Sequence, residues 1–223
     1  MKKIGEYWVP DIDVQGDYNL ARTRIAFENN KGIQIENLLK ALEYVKHTSL
    51  AIDGGANVGS WSRVLGGRFG VVHSFEPYPP AFECLAENIK NWNLEKVVSL
   101  HHKALSDTNE KVSVEPAGVG RRSVTCGITG PGEIEAVSID SLELGECSFI
   151  KLDLEGFESR ALLGAKETIK NFRPLILIEN KFEKKRLFNK KSSAEKILNK
   201  YGYNVLDKFG DNQIDWLFKH KSM

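Results

Sequence analysis

Cysteine is scarce in this chain: Cys84, Cys126 and Cys147 are the three among 223 residues. Their number is odd and no two stand at a metal-type spacing, which argues against a disulfide framework or zinc site and for reduced thiols. Long apolar runs are missing too. No stretch approaches the ~18 apolar residues of a membrane span, and the lysines of the opening MKKIGEYWVP precede no apolar segment. Excess charge is also absent, since 31 Lys and Arg nearly balance 30 Asp and Glu for a formal net charge of +1. A dedicated nucleic-acid or membrane-surface binder carries a strong positive field, so neither partner is expected. A cytoplasmic location fits these absences.

What is present reads as one globular unit. Hydrophobic residues make up 41% and charged residues 27%, and the length suits one α/β domain better than two. The expected organisation is a single domain over 1–223. It has an N-terminal segment with a cap helix (1–48), a core (49–180), and a C-terminal helix with a closing strand pair (181–223).

Apolar periodicity supplies the elements. Ile35, Leu38, Leu39 and Leu42 share one helical face, which predicts a helix lying over a sheet. Residues 49–53 and 71–75 read as buried strands. Each is followed by helical spacing, first through Val58, Trp61, Val64 and Leu65, then through Phe82, Leu85, Ala86, Ile89 and Trp92. A third strand is expected over 97–100 with Ala104. Residues 107–139 lose helical periodicity and gain turn residues, which predicts an inserted β-hairpin. Strands at 149–154 and 175–178 flank one helix over about 157–171. Ser192 with Glu195 resembles a capping box that opens a last helix stopped by Gly202, and strands at 203–206 and 215–218 close the chain as antiparallel neighbours. The alternation predicts a Rossmann-like, doubly wound α/β fold. Its mostly parallel, seven-stranded sheet has helices on both faces and an antiparallel last strand. Ligands of such sheets bind at the carboxyl ends of the strands where the winding reverses.

The residues at those ends are distinctive. Asp53-Gly54-Gly55-Ala56-Asn57-Val58-Gly59 is an acid, a glycine bend and a helix start. Glycine lets backbone approach a ligand closely, and a helix start offers N–H donors. Glu76 follows the second strand directly, 23 residues beyond Asp53. A carboxylate there can accept from both ribose hydroxyls of an adenosine. The spacing does not fit a nicotinamide cofactor, because Asn57 stands where Gly-x-Gly-x-x-Gly requires its middle glycine.

Asp53-x-Gly55-x-Asn57-x-Gly59 instead resembles the acid-x-Gly-x-Gly-x-Gly signature of S-adenosylmethionine-dependent methyltransferases. Four pieces in order resemble the FkbM family of O-methyltransferases: AIDGGANVG at 51–59, FEP at 75–77, ALSD at 104–107, and SIDSL followed by FIKLDLEGFE at 149–158. The resemblance spans roughly 49–180. It implies S-adenosylmethionine as cofactor and S-adenosylhomocysteine as product. It further implies that Asp53, Gly54, Gly55, Asn57 and Gly59 hold the methionine portion, that Glu76 with Pro77 holds the ribose, and that the stretch Ala104, Leu105, Ser106 and Asp107 flanks the adenine.

In Phe149-Ile-Lys-Leu-Asp-Leu-Glu155, the charges at Lys151, Asp153 and Glu155 recur at period two and so are expected on one side of a strand. The plain structural account is an ion pair of Lys151 with Asp153 or Glu155. The functional account gives Asp153 the acceptor hydroxyl, to orient it or take its proton. Lys151 then either tunes that carboxylate or, with a pKa lowered by desolvation, is itself the base. Glu155 is ambiguous, and Glu158 reads as a helix-start acid. Glu179 should face the same cleft. No metal is required, although Asp153, Glu179 and Asn180 would offer oxygen ligands that suit Mg²⁺.

A basic run at Lys181, Lys184, Lys185, Arg186, Lys190 and Lys191 reads first as a solvated face and second as a site for an anionic acceptor, to which Arg121 and Arg122 could add. The family resemblance implies O-methylation of a sugar, glycan or small-metabolite hydroxyl. Nucleic-acid methylation ranks lower, because Leu152-Asp153-Leu154-Glu155 stands where an Asn/Asp-Pro-Pro-aromatic motif would be. A non-catalytic cofactor-binding protein is the third alternative.

Overall fold

The computed structural model describes residues 1–11, 28, 34–116, 126–180, 194–210 and 213–223. Strands in chain order are β1 (Lys2–Ile4), β2 (Tyr7–Val9), β3 (Leu50–Gly54), β4 (Val71–Phe75), β5 (Val98–His101), β6 (Ala104–Leu105), β7 (Glu110–Pro116), β8 (Cys126–Pro131), β9 (Ile134–Val137), β10 (Phe149–Leu152), β11 (Leu175–Glu179), β12 (Tyr203–Phe209) and β13 (Asp215–His220). Helices are α1 (Ile35–Leu42), α2 (Ser60–Gly66), α3 (Pro79–Asn91), α4 (Glu158–Leu163), α5 (Lys166–Phe172) and α6 (Ala194–Lys200). The basic run at 181–191, Arg121, Arg122 and the cap residue Ser192 lie outside the described residues.

Seven strands form the expected sheet in the order β12-β13-β11-β10-β3-β4-β5. β13 runs antiparallel to both its neighbours, whereas β11, β10, β3, β4 and β5 are mutually parallel. The chain winds outward from β3 through β5, then returns to place β10 on the other side of β3. The winding therefore reverses between β3 and β10, which puts a crevice at their carboxyl ends. Alternate side chains feed two cores. Ile52, Ile150, Leu152, Ile176 and Ile178 pack with α4 to α6 residues such as Leu162, Ile169 and Leu198. Ala51, Phe149 and Leu177 pack with Leu38, Leu65, Leu85 and Ile89 of α1 to α3. A strand covered on both faces is chiefly apolar, which is why β10 and β11 are apolar but for Lys151 and Glu179.

Three expectations are corrected. The helix expected over 157–171 is two helices, because Gly164 runs so close to the backbone that a Cβ there would lie 2.1 Å from Ser106 O. Asp140 then starts α5 afresh, its carboxylate accepting from Glu167 N, Thr168 N and Thr168 Oγ1 at 2.8–2.9 Å. Ala104 does not extend the third strand. It pairs in parallel with Ala136 of β9 and joins a small core with Val112. The insertion is accordingly more than a hairpin: β7 and β8 pair as expected, but β9 and β6 complete a four-stranded sheet ordered β6-β9-β7-β8.

At the N-terminus β1 and β2 form a hairpin that docks on α3 through fully buried Asn88. Asn88 accepts from Trp8 N (2.6 Å) and donates to Trp8 O and Val58 O (2.8 Å each). Asn88→Ala strands these buried backbone groups, each at about 1–3 kcal/mol. The expected result is a melting midpoint lower by about 4 °C or more, and a midpoint within 1 °C of the parent would show that this clasp contributes little.

Candidate active site

The bend after β3 is held at a spacing only glycine allows. Gly55 has φ +75°, and a Cβ on it would stand 2.0 Å from Asp153 O, at the end of β10. Its N–H and that of Ala56 both donate to Phe75 O, at 3.0 and 2.9 Å, fastening the bend to the end of β4. Asn57 has φ 54°, a left-handed conformation that Asn adopts more readily than other side-chain-bearing residues. Its side chain accepts from Val58 N at 2.8 Å. Gly59, at φ +93°, then caps α2.

The bend meets Glu76 directly. Glu76 Oε2 accepts from Asn57 N at 2.8 Å and Oε1 from Tyr78 N at 2.9 Å, so Glu76 and a bend residue 19 positions earlier share one rim. Burial pushes the Glu76 carboxyl up to about 7, against the downward pull of the Tyr78 and Asn57 amides.

Asp53 lies beneath the bend. It is fully buried, accepts from Ser62 Oγ at 2.6 Å and pairs with Lys151 Nζ at 3.0 Å. Ser62 also shares a 2.9 Å hydrogen bond with Ser74. Asp53 thus supports the bend from below. The partner of Lys151 is corrected: it is Asp53, not Asp153 or Glu155. Burial pulls the Lys151 pKa down, but Asp53 foremost, with Asp153 and Glu179, more than reverses this and leaves it raised. A lysine held charged in this way suits gripping the bend more than taking a proton.

The charges after Lys151 come together by a different route from the one expected. β10 ends at Leu152, and Glu155 (φ 52°) and Gly156 (φ 107°) turn the chain through left-handed conformations. Glu158 Oε1 holds this turn by accepting from Leu154 N and Gly156 N, at 2.8 and 3.2 Å. Period-two alternation therefore fails beyond Leu152. The turn nonetheless brings the carboxylates of Asp153, Glu155 and Glu179 within 4.8 Å of one another, a spacing that suits a hydroxyl-bearing ligand or a hard cation. Asp153 Oδ1 is buried without a hydrogen-bond partner, while the Asp153 N–H donates to Gly54 O at 3.1 Å. Asn180 follows Glu179, its N–H taken by Ile214 O at 2.7 Å.

Ala104, Leu105, Ser106 and Pro77 are buried. Leu105 packs under Gly54, and Ser106 Oγ donates to Asp107 (3.2 Å) and Glu110 (2.9 Å). These residues lie buried beneath the rim, with Leu105 beside the bend. Asp107, one residue on and one-third exposed, is the group of ALSD at the surface. Ser62 and Glu158 are the supports that sequence reasoning missed or undervalued. Ser62 carries no local signal, since its role depends on how α2 docks.

A family model for the methyltransferase FkbM domain matches residues 53–205. The chain belongs to the FkbM methyltransferase family. The family is one of S-adenosylmethionine-dependent methyltransferases. Among solved structures, the methyltransferase FkbM from Methylobacillus flagellatus KT superposes with a TM-score of 0.51 at 19% identity, covering 78% of this chain and 44% of that one. The present FkbM chain thus spans less than half the length of that protein. Precorrin 8W decarboxylase from Methanobacterium thermoautotrophicum gives a TM-score of 0.53 at 14% identity, covering 98% and 99% of the two chains. A putative methyltransferase from Escherichia coli gives 0.51 at 10%, covering 100% and 99%. At these identities the likeness is one of fold. No curated protein sequence matches this FkbM chain significantly.

Glu76 gives the FkbM site a pH signature. If Glu76 is to receive a ribose, its ionised form would be the one to accept from both hydroxyls, and burial puts its midpoint at about 7. Calorimetric affinity for S-adenosylhomocysteine is expected to fall roughly tenfold per pH unit below that value and to level off above it. Glu76→Gln should bind weakly at every pH with no such inflection. A flat wild-type profile from pH 5.5 to 8.5 would contradict this.

Proposed function

We propose that this chain is an S-adenosylmethionine-dependent O-methyltransferase acting in the cytoplasm on a hydroxyl of a sugar, glycan or small metabolite. The observation that carries the reading is the contact between Gly55 and Asp153. It supports the reading because the bend that would receive the donor abuts the backbone of Asp153, the residue whose carboxylate would receive the acceptor. S-adenosylmethionine, when bound, supplies a sulfonium-activated methyl group. The backbone of the bend would lie along its methionine portion and Glu76 would take its ribose. Methyl transfer is chiefly a matter of placement, and the acceptor hydroxyl must also lose a proton. Asp153 would orient that hydroxyl and take the proton as the new C–O bond forms, with Glu155 and Glu179 accepting from neighbouring hydroxyls.

Three convergent carboxylates favour a hydroxyl-rich acceptor over a phosphate backbone, which they would repel at short range. The basic run at 181–191 would suit an anionic part of the acceptor. Among the described residues no helix is long and apolar enough to cross a membrane.

Methyl-labelled S-adenosylmethionine incubated with glycan, small-metabolite and RNA pools tests the acceptor class. Label in a hydroxylated carbohydrate or metabolite is expected, and label confined to RNA would overturn the proposal. Asp153→Asn is expected to lower turnover by about 10²-fold or more while leaving cofactor affinity near the parent value. Glu76→Ala should weaken cofactor binding by about 10- to 100-fold. The opposite pattern would refute this division of labour.

A further inference from the structure

Lys151 stands opposite Asp53 in the parallel register of β10 and β3 and is 4% exposed. An ammonium in such a place needs every proton engaged. Nζ lies 2.7 Å from Gly55 O, 3.0 Å from Gly54 O and 3.0 Å from Asp53 Oδ1, with the Trp61 ring centroid 5.2 Å away. Two of these partners are successive carbonyls of the bend.

The N–H groups of the same two peptides, those of Gly55 and Ala56, both donate to Phe75 O. A peptide unit is planar, so gripping it at both ends fixes its orientation. Lys151 holds the carbonyl ends and Phe75 the amide ends, and the next amide, Asn57 N, then reaches Glu76 Oε2. The ammonium is therefore joined to the glutamate through three consecutive peptides.

We propose that Lys151 is the positioning residue of the donor site, its ammonium pinning the Gly54 and Gly55 carbonyls so that the bend meets Glu76, the group that would receive the donor's ribose. This rests on the donor-site reading given above. The groups acting on Glu76 agree with it. Burial raises its pKa, the amides of Tyr78 and Asn57 lower it, Lys151 lowers it further and Asp53 raises it. Removing the ammonium leaves burial and Asp53 less opposed.

Calorimetric titration of the full chain with S-adenosylhomocysteine from pH 6 to 9, alongside thermal melts, tests the inference with K151M and K151R. K151M is expected to bind at least tenfold more weakly at pH 7, with its inflection moved above the wild-type value of about 7, so that raising the pH recovers part of the affinity. K151R keeps the charge but not the point geometry. It should keep the wild-type inflection with affinity several-fold lower. A K151M loss equal at every pH, or wild-type binding by K151M, would overturn the inference. If K151M fails to fold, K151R decides alone: the wild-type inflection with weakened binding upholds the inference, and wild-type affinity or a displaced inflection overturns it. A wild-type chain that binds no S-adenosylhomocysteine at any pH would overturn the donor-site reading itself and this inference with it.

Discussion

The site depends on the missing side chain of Gly55. Because that position carries no Cβ, the bend after β3 comes within touching distance of Asp153 O, and the ends of β3 and β10 close into one rim. Any larger residue would force the two strand ends apart. The proposed donor and acceptor halves of the site would separate with them. Methyl transfer requires its reacting atoms within about 3–3.5 Å, so a gap of this kind acts on the chemistry more directly than on the stability of the sheet.

A buried polar network supports this contact. Asp53, Lys151, Ser62 and Ser74 are all at most 4% exposed, and together they replace an apolar plug under the bend. Buried ion pairs are poor sources of net stability, so the network is better understood as a means of fixing peptide orientation at the rim. A second polar tie lies beyond it. Arg160 of α4 binds Asp107 and Glu110, joining the helix that follows the Asp153–Gly156 turn to β7 of the inserted sheet. The insertion is thereby anchored to the helix beside the proposed acceptor position.

Much of this was legible in the sequence where the chemistry is local. Strand ends announced themselves by an acid or a glycine after an aliphatic run, which located Asp53, Gly55 and Glu76 at once. Asn57 even kept the left-handed conformation expected of the glycine it replaces. Pairing between elements was not legible. Lys151 looked as though it should pair along its own strand, yet its partner came from β3, the neighbouring strand. Period-two spacing suggested that Glu155 belonged with Asp153, and a turn after Leu152 achieved the same proximity by other means. Gly164 ended a helix because of a backbone neighbour, Ser106 O, that helical periodicity alone does not register. Asn88 gave no hint of the hairpin it clasps, because its partners at Trp8 lie 80 residues away.

The central claim is that the Gly55 bend and Glu76 together grip the adenosyl donor beside Asp153. A crystal structure of the chain soaked with S-adenosylhomocysteine tests it most directly. The account requires the ribose hydroxyls on Glu76, the amino-acid portion along Gly55 to Asn57, and the sulfur facing Asp153. Density for the ligand elsewhere, or a ribose that leaves Glu76 untouched, would contradict it.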